Sequence, residues 1–140
     1  MGRINTTRVI LGGIVAGLVI NISQFVLNMV VLAGDTAASM ARMNLPPIGG
    51  SAIATFIALG FVGGIAMVWV YAAMRARFGP GPKTAALAGA IVWFFGYLYS
   101  GVAMYAMGMY PARMMAISMT WALGESLVAA LAGGAMYSEA

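Results

Sequence analysis

The stretch Val9–Leu32, VILGGIVAGLVINISQFVLNMVVL, contains no charged residue over its whole length. A helix rising 1.5 Å per residue crosses a hydrocarbon core of roughly 30 Å in about 20 residues, so this segment is long enough. Unpaired backbone groups are costly in lipid, which leaves a helix or a closed barrel as spanning forms. The alternating strands of about ten residues that a barrel needs are not seen. Val9–Leu32 therefore reads as a transmembrane helix, and three further apolar segments follow suit: Ile48–Met74, Thr84–Met109 and Met114–Tyr137. Each is cut off by charges or by Pro/Gly-rich breaks. The expected fold is all-α, a single transmembrane domain over residues 1–140 in which four spanning helices form an up-down bundle with short loops.

Composition agrees. Of 140 residues, 63% are apolar and 7% charged, with a mean hydropathy of +0.97, far from the roughly 45–50% and 25% of soluble domains. With no Cys and no His, disulfides, zinc clusters on those ligands and Cys- or His-based catalysis are excluded. Asp35, Glu125 and Glu139 are the only acids and no nucleophile with an adjacent base can be assembled, so an enzyme is not expected and no cofactor is implied.

The net charge of +4 reads as topology. Arg3 and Arg8 precede the first span, and Arg75, Arg77 and Lys83 lie between the second and third, against Arg42 and Arg113 on the other side. The positive-inside rule then places both termini in the cytoplasm of a multi-pass protein of the cell inner (plasma) membrane. The partners implied are the lipid bilayer and either further copies of the chain or a larger membrane complex; nothing indicates nucleic acid. Arg75, Arg77 and Lys83 also meet anionic lipid headgroups in this placement.

The loop Ala33–Pro47 is the longest. Within it Asp35 is expected to cap a short interfacial helix from Thr36 to Met43, with Met40 and Met43 on one side. Pro46-Pro47 is expected to open the second span, Gly79-Pro80-Gly81-Pro82 to make a sharp turn and Pro111 to open the fourth span. Overlaying the second and fourth spans aligns Pro47 with Pro111 and Ala58-Leu59-Gly60 with Ala122-Leu123-Gly124. This faint duplication competes with coincidence among common residues.

Polar residues inside the spans mark the candidate site. At 100° per residue, Gly13, Gly17, Asn21, Gln24 and Asn28 project within an arc of roughly 80°. The small residues allow close helix approach and the carboxamides can bond across to a neighbour, so the stripe faces protein. Gly60, Gly63 and Gly64 in the second span, and Gly96 with Ser100 in the third, offer similar surfaces. Glu125 is the one charged residue inside any span and lies near the middle of the fourth. A lone carboxylate at that depth costs several kcal/mol, so Glu125 is expected to be protonated at neutral pH and bonded to Asn21 or Gln24. Two roles follow from the same residues. Glu125, with Asn21, Gln24 and Asn28, binds and releases a proton or cation, or it clasps two helices together.

Met104, Met107, Met109, Met114, Met115 and Met119 gather around the ends of the third and fourth spans. Thioethers select Cu(I), but methionine is also a flexible gap filler, and packing is the preferred reading. Tyr97, Tyr99, Tyr105 and Tyr110 read as interfacial and packing aromatics; with Trp93 and Trp121 they could equally line an apolar cavity.

The stretches RVILGGIVAGLVIN (Arg8–Asn21), VWVYAAMRARFGPGPKTAALAG (Val68–Gly89) and MYPAR (Met109–Arg113) resemble a group of small four-helix bacterial inner-membrane proteins of unknown function. The resemblance implies topology and no activity. Small multidrug-resistance transporters carry their glutamate in the first helix, unlike Glu125, and fluoride channels carry a phenylalanine and serine/threonine motif that Trp93–Gly101, WFFGYLYSG, does not reproduce. The expected function is a non-enzymatic membrane protein that moves or senses a proton, cation or small apolar solute through a site at Glu125 and Asn21. The alternative is an accessory subunit packed against a larger complex through the glycine and amide stripes.

Overall fold

A computed structural model describes residues 3–139. Five helices account for most of them, and no strand occurs among them. α1 is Thr6–Val31, α3 Gly50–Phe78, α4 Pro82–Ala106 and α5 Ala112–Ala135, and these four are long and apolar enough to cross a membrane. α2, Ala33–Arg42, is a short helix following α1.

Local chemistry sets the ends. α1 begins three residues before the apolar stretch because the Asn5 side chain accepts a hydrogen bond from the Arg8 N–H at 3.2 Å. α3 begins at Gly50, not at Pro46-Pro47, and continues through Arg75 and Arg77 to Phe78. Charged side chains end an apolar pattern without ending a helix. The chain then reverses through Gly79 and Gly81, whose φ values of +80° and +127° suit glycine. Thr84 ties the turn by donating to the Gly79 carbonyl at 2.7 Å. Asp35 does not cap α2. It lies in the first turn and accepts from Arg113 Nη1 at 3.0 Å, joining α2 to α5.

α1 packs most extensively on α3 and also against α5, while α4 packs on α5. Glycines decide how closely. A Cβ on Gly13 would lie 2.5 Å from the Ile65 Cα, one on Gly17 2.6 Å from the Phe61 ring, and one on Gly64 would run into the Gly13 carbonyl. Gly12 and Gly133 make the equivalent approach between α1 and α5, each facing the other's carbonyl oxygen. The core is correspondingly small-residue: Ala16, Ala88, Ala129 and Ala130 are almost fully enclosed beside Met67, Val68 and Tyr71. Gly60 meets the Asn21 side chain rather than another backbone. Gly63 and Gly96 meet nothing within 4 Å, so they are not packing positions. Gly124 is equally open where Gly60 is filled, so the apparent duplication of these two segments is not matched in packing.

Large apolar side chains cover the outside, among them Ile22, Phe25, Phe56, Leu59, Phe95 and Val102. Two groupings at opposite ends of the helices frame this body. At one end Tyr137 accepts from the Asn5 N–H and Tyr71 from the Gly81 N–H, both at 3.2 Å. At the other, Leu27, Leu32 and Met114 form a second small core beneath α2.

Gly13→Ala is expected to lower stability by about 1–3 kcal/mol, because the added methyl meets backbone atoms that cannot turn aside. Gly63→Ala should be neutral or stabilising by up to about 1 kcal/mol through helix propensity alone. Melting of both variants in detergent checks the contrast, and equal losses would mean that the close approach is elsewhere.

Candidate functional site

Near the middle of α5 the Glu125 side chain is drawn inward, and the residue is only 5% exposed. Its carboxyl meets donors from two other helices. Gln24 Nε2 of α1 donates to Oε1 at 3.1 Å and to Oε2 at 3.0 Å. The Tyr97 hydroxyl of α4 donates to Oε1 at 2.9 Å. One carboxyl thus joins three of the four long helices. The Gln24 amide is itself held from behind: Asn28 Nδ2 donates to its Oε1 at 3.0 Å and to its backbone carbonyl at 2.9 Å.

Helix geometry delivers two of these groups. In the segments Leu27–Val31 and Phe94–Leu98 the backbone widens to π-helical turns, the first closed by the Leu32 N–H on the Leu27 carbonyl at 2.8 Å. Asn28 lies in one wide turn and Tyr97 in the other. Such turns insert a residue and swing the following side chains around the axis, and they are frequent at functional sites. Aromatic N–H groups brace the surroundings: Trp121 Nε1 donates to Ser23 Oγ at 2.8 Å, joining α5 to α1, and Trp93 Nε1 donates to the Met119 carbonyl at 2.9 Å, joining α4 to α5.

Of the carboxamides singled out by the sequence, Gln24 touches Glu125 and Asn28 supports Gln24. Asn21 does neither. Its Nδ2 donates to the Gly17 carbonyl one turn back at 3.0 Å and across to the Ile57 carbonyl of α3 at 3.2 Å. The arc projected from the sequence is wide enough to serve two neighbours, and its Asn21 edge belongs to α3 while its Gln24 edge belongs to α5. Tyr97, set among the packing aromatics by the sequence, is the missed member. Its position near the midpoint of its span, where a hydroxyl needs a partner, is the signal that could have found it.

Three of the methionines have separate roles. Met114 is buried and its sulfur accepts from Ser39 Oγ at 3.7 Å; Met119 fills the space over Gly101; Met107 is 68% exposed. No cluster of three or more His, Cys, Asp or Glu side chains suited to a metal occurs among the described residues.

The carboxyl environment is one of opposed effects. Enclosure in apolar surroundings disfavours a charge, while three incoming hydrogen bonds stabilise the carboxylate. Charge-assisted hydrogen bonds of this kind are among the stronger ones available to a buried side chain, so the cluster is both a tie and a chemically distinct site.

No family model matches the chain, and neither a curated protein nor a solved structure matches it.

Glu125→Leu should destabilise the protein by about 1–3 kcal/mol for each donor left unpaired on Gln24 and Tyr97. Glu125→Gln should cost less, because its carbonyl accepts from Gln24 while the Tyr97 hydroxyl turns to accept from its amide. A double-mutant cycle of Glu125→Leu with Tyr97→Phe, read by detergent melting, should give a coupling of about 0.5–3 kcal/mol; additivity would separate the two residues.

Proposed function

We propose that the chain is a multi-pass protein of the cell inner (plasma) membrane that takes up and releases a proton at Glu125. In this reading the four long helices run up and down across the bilayer, the exposed Ile, Leu, Val and Phe side chains face acyl chains, and both ends of the chain are cytoplasmic. The end that carries Arg75, Arg77 and Lys83 is then the cytoplasmic one by charge bias. α2 and Asn28 lie toward the opposite face.

The supporting observation is the kind of partner that surrounds Glu125. Both carboxyl oxygens are met by N–H and O–H donors. A dehydrated metal cation needs several oxygen acceptors, whereas the amide oxygen nearest the acid, Gln24 Oε1, already accepts from Asn28. A proton requires no such cage. It needs only an acid whose two forms are both tolerated, and hydroxyl and amide neighbours that can reorient as it arrives. The carboxamides of Gln24 and Asn28 carry no proton themselves; they hold the donors on Glu125 in place, with Asn28 on the exposed surface of α1 and Glu125 enclosed. The titratable group in contact with Glu125 is Tyr97, and no Lys or Arg among the described residues bonds to the cluster.

Infrared difference spectra of the protein in lipid, recorded as pH is stepped between about 4 and 10, should show interconversion of carboxylic-acid and carboxylate bands that is lost in Glu125→Gln. Bands that do not change with pH would make the cluster a clasp only. For the placement itself, reporter fusions after Ala140 and within Gly79–Lys83 should report cytoplasm, and a fusion beside Arg42 the opposite side; equal populations of both orientations would contradict it.

A further inference from the structure

At the end of the molecule opposite α2, a cleft of about 510 Å³ opens between the start of the chain, the last turns of α3 and the segment after α5. That volume is within the range of small-ligand sites. Its walls are of mixed character: Ile4, Ala72, Ala76 and Pro80 supply the apolar part, and Arg75, the Tyr137 edge and Glu139 the polar part. Arg75 is unusual among the basic residues. Its side chain is 14% exposed, with the guanidinium carbon 5.0 Å from the Tyr137 ring centroid and 5.7 Å from that of Tyr71. The two rings are fixed, because they stand edge to face at 6.1 Å and their hydroxyls accept from the Asn5 and Gly81 N–H groups.

A stacked, preoriented guanidinium is therefore presented to the cleft, yet its buried Nε has no hydrogen-bond partner among the described residues. Glu139 Oε1 stands off at 3.8 Å, and that side chain is 41% exposed. Arginine's planar fork matches phosphate oxygens, and an unpaired buried donor is costly. Arg77 and Lys83 are exposed nearby in sequence and add to a positive field at this end.

We propose that this cleft binds the phosphate of an anionic phospholipid, with the phosphate on Arg75 in place of Glu139 and the glycerol and upper acyl carbons along the alanine wall. The inference rests on the membrane placement proposed above and is independent of proton binding at Glu125. Glu139 acts as an internal competitor that the headgroup displaces.

The test is native mass spectrometry of the full-length protein released from detergent after incubation with phosphatidylglycerol or phosphatidylcholine. The wild type should retain phosphatidylglycerol about tenfold more strongly than phosphatidylcholine, Arg75→Gln should lose that preference, and Arg77→Gln should keep most of it. Glu139→Gln should strengthen retention, which keeps the proposal testable should Arg75→Gln fail to fold. Millimolar inorganic phosphate distinguishes a lipid from a soluble anion: a lipid site is left occupied, whereas displacement together with Arg75-dependent phosphate binding would overturn the lipid assignment. Equal retention by wild type, Arg75→Gln and Glu139→Gln would overturn the site. Glu125→Gln should leave lipid retention unchanged, and a chain recovered without detergent would contradict the membrane placement instead.

Discussion

α1 can hand Gln24 to Glu125 only because it runs in near-backbone contact with both α3 and α5. Gly13, Gly17 and Gly64 set the first approach, and Gly12 with Gly133 the second. In lipid, helices gain little from hiding apolar surface from one another, so association depends on such close packing and on hydrogen bonds between spans. The two are sequential along α1. In its Thr6–Gly17 half the inward positions Gly12, Gly13, Ala16 and Gly17 let the helices come together, and the following turns carry the carboxamides that exploit the proximity. Adding volume to the first half would therefore be felt at Glu125, several turns away.

The cluster also explains where the helices depart from regular geometry. Asn28 and Tyr97 each sit in a wide turn, and each points a polar group toward the Gln24–Glu125 contact. Irregular turns weaken local backbone bonding, and that cost is tolerated where a buried acid gains donors in return. The same logic places Trp121 on Ser23 and Trp93 on the Met119 carbonyl, each ring N–H reaching a partner on a neighbouring helix.

The four long apolar helices were legible in the sequence because length and hydropathy alone define them, and Glu125 because it is the single charge inside the apolar stretches Val9–Leu32, Ile48–Met74, Thr84–Met109 and Met114–Tyr137. Gln24 was legible by depth and by projection. The rest was obscured by features that a regular period cannot express. Asn21 falls in the same projected arc as Gln24, but satisfies its amide on Gly17 and Ile57 before it can reach the acid. Tyr97 was hidden among the other aromatics of its span, although its depth places its hydroxyl where a partner is needed. Boundaries moved where a side chain, not hydropathy, determines them, as with Asn5 at the start of α1 and the charged end of α3 beyond Met74. Asp35 looked like a cap by residue type, yet Arg113, 78 positions away in sequence, claims it.

The central claim is that the Gln24 amide and the Glu125 carboxyl meet within the bilayer and that the acid changes protonation there. Gln24 is the only glutamine of the chain and Glu125 one of two glutamates, so selective labelling of the two side chains is nearly unambiguous. Solid-state NMR in lipid bilayers, with the Gln24 amide nitrogen and the glutamate carboxyl carbons labelled, reads both properties in one sample. The account predicts a strong short-range coupling between that nitrogen and one carboxyl carbon, absent in Glu125→Gln, with the chemical shift of the coupled carbon moving as pH is varied. Absence of the coupling, or a coupled carbon whose shift stays fixed across the titration, would contradict it.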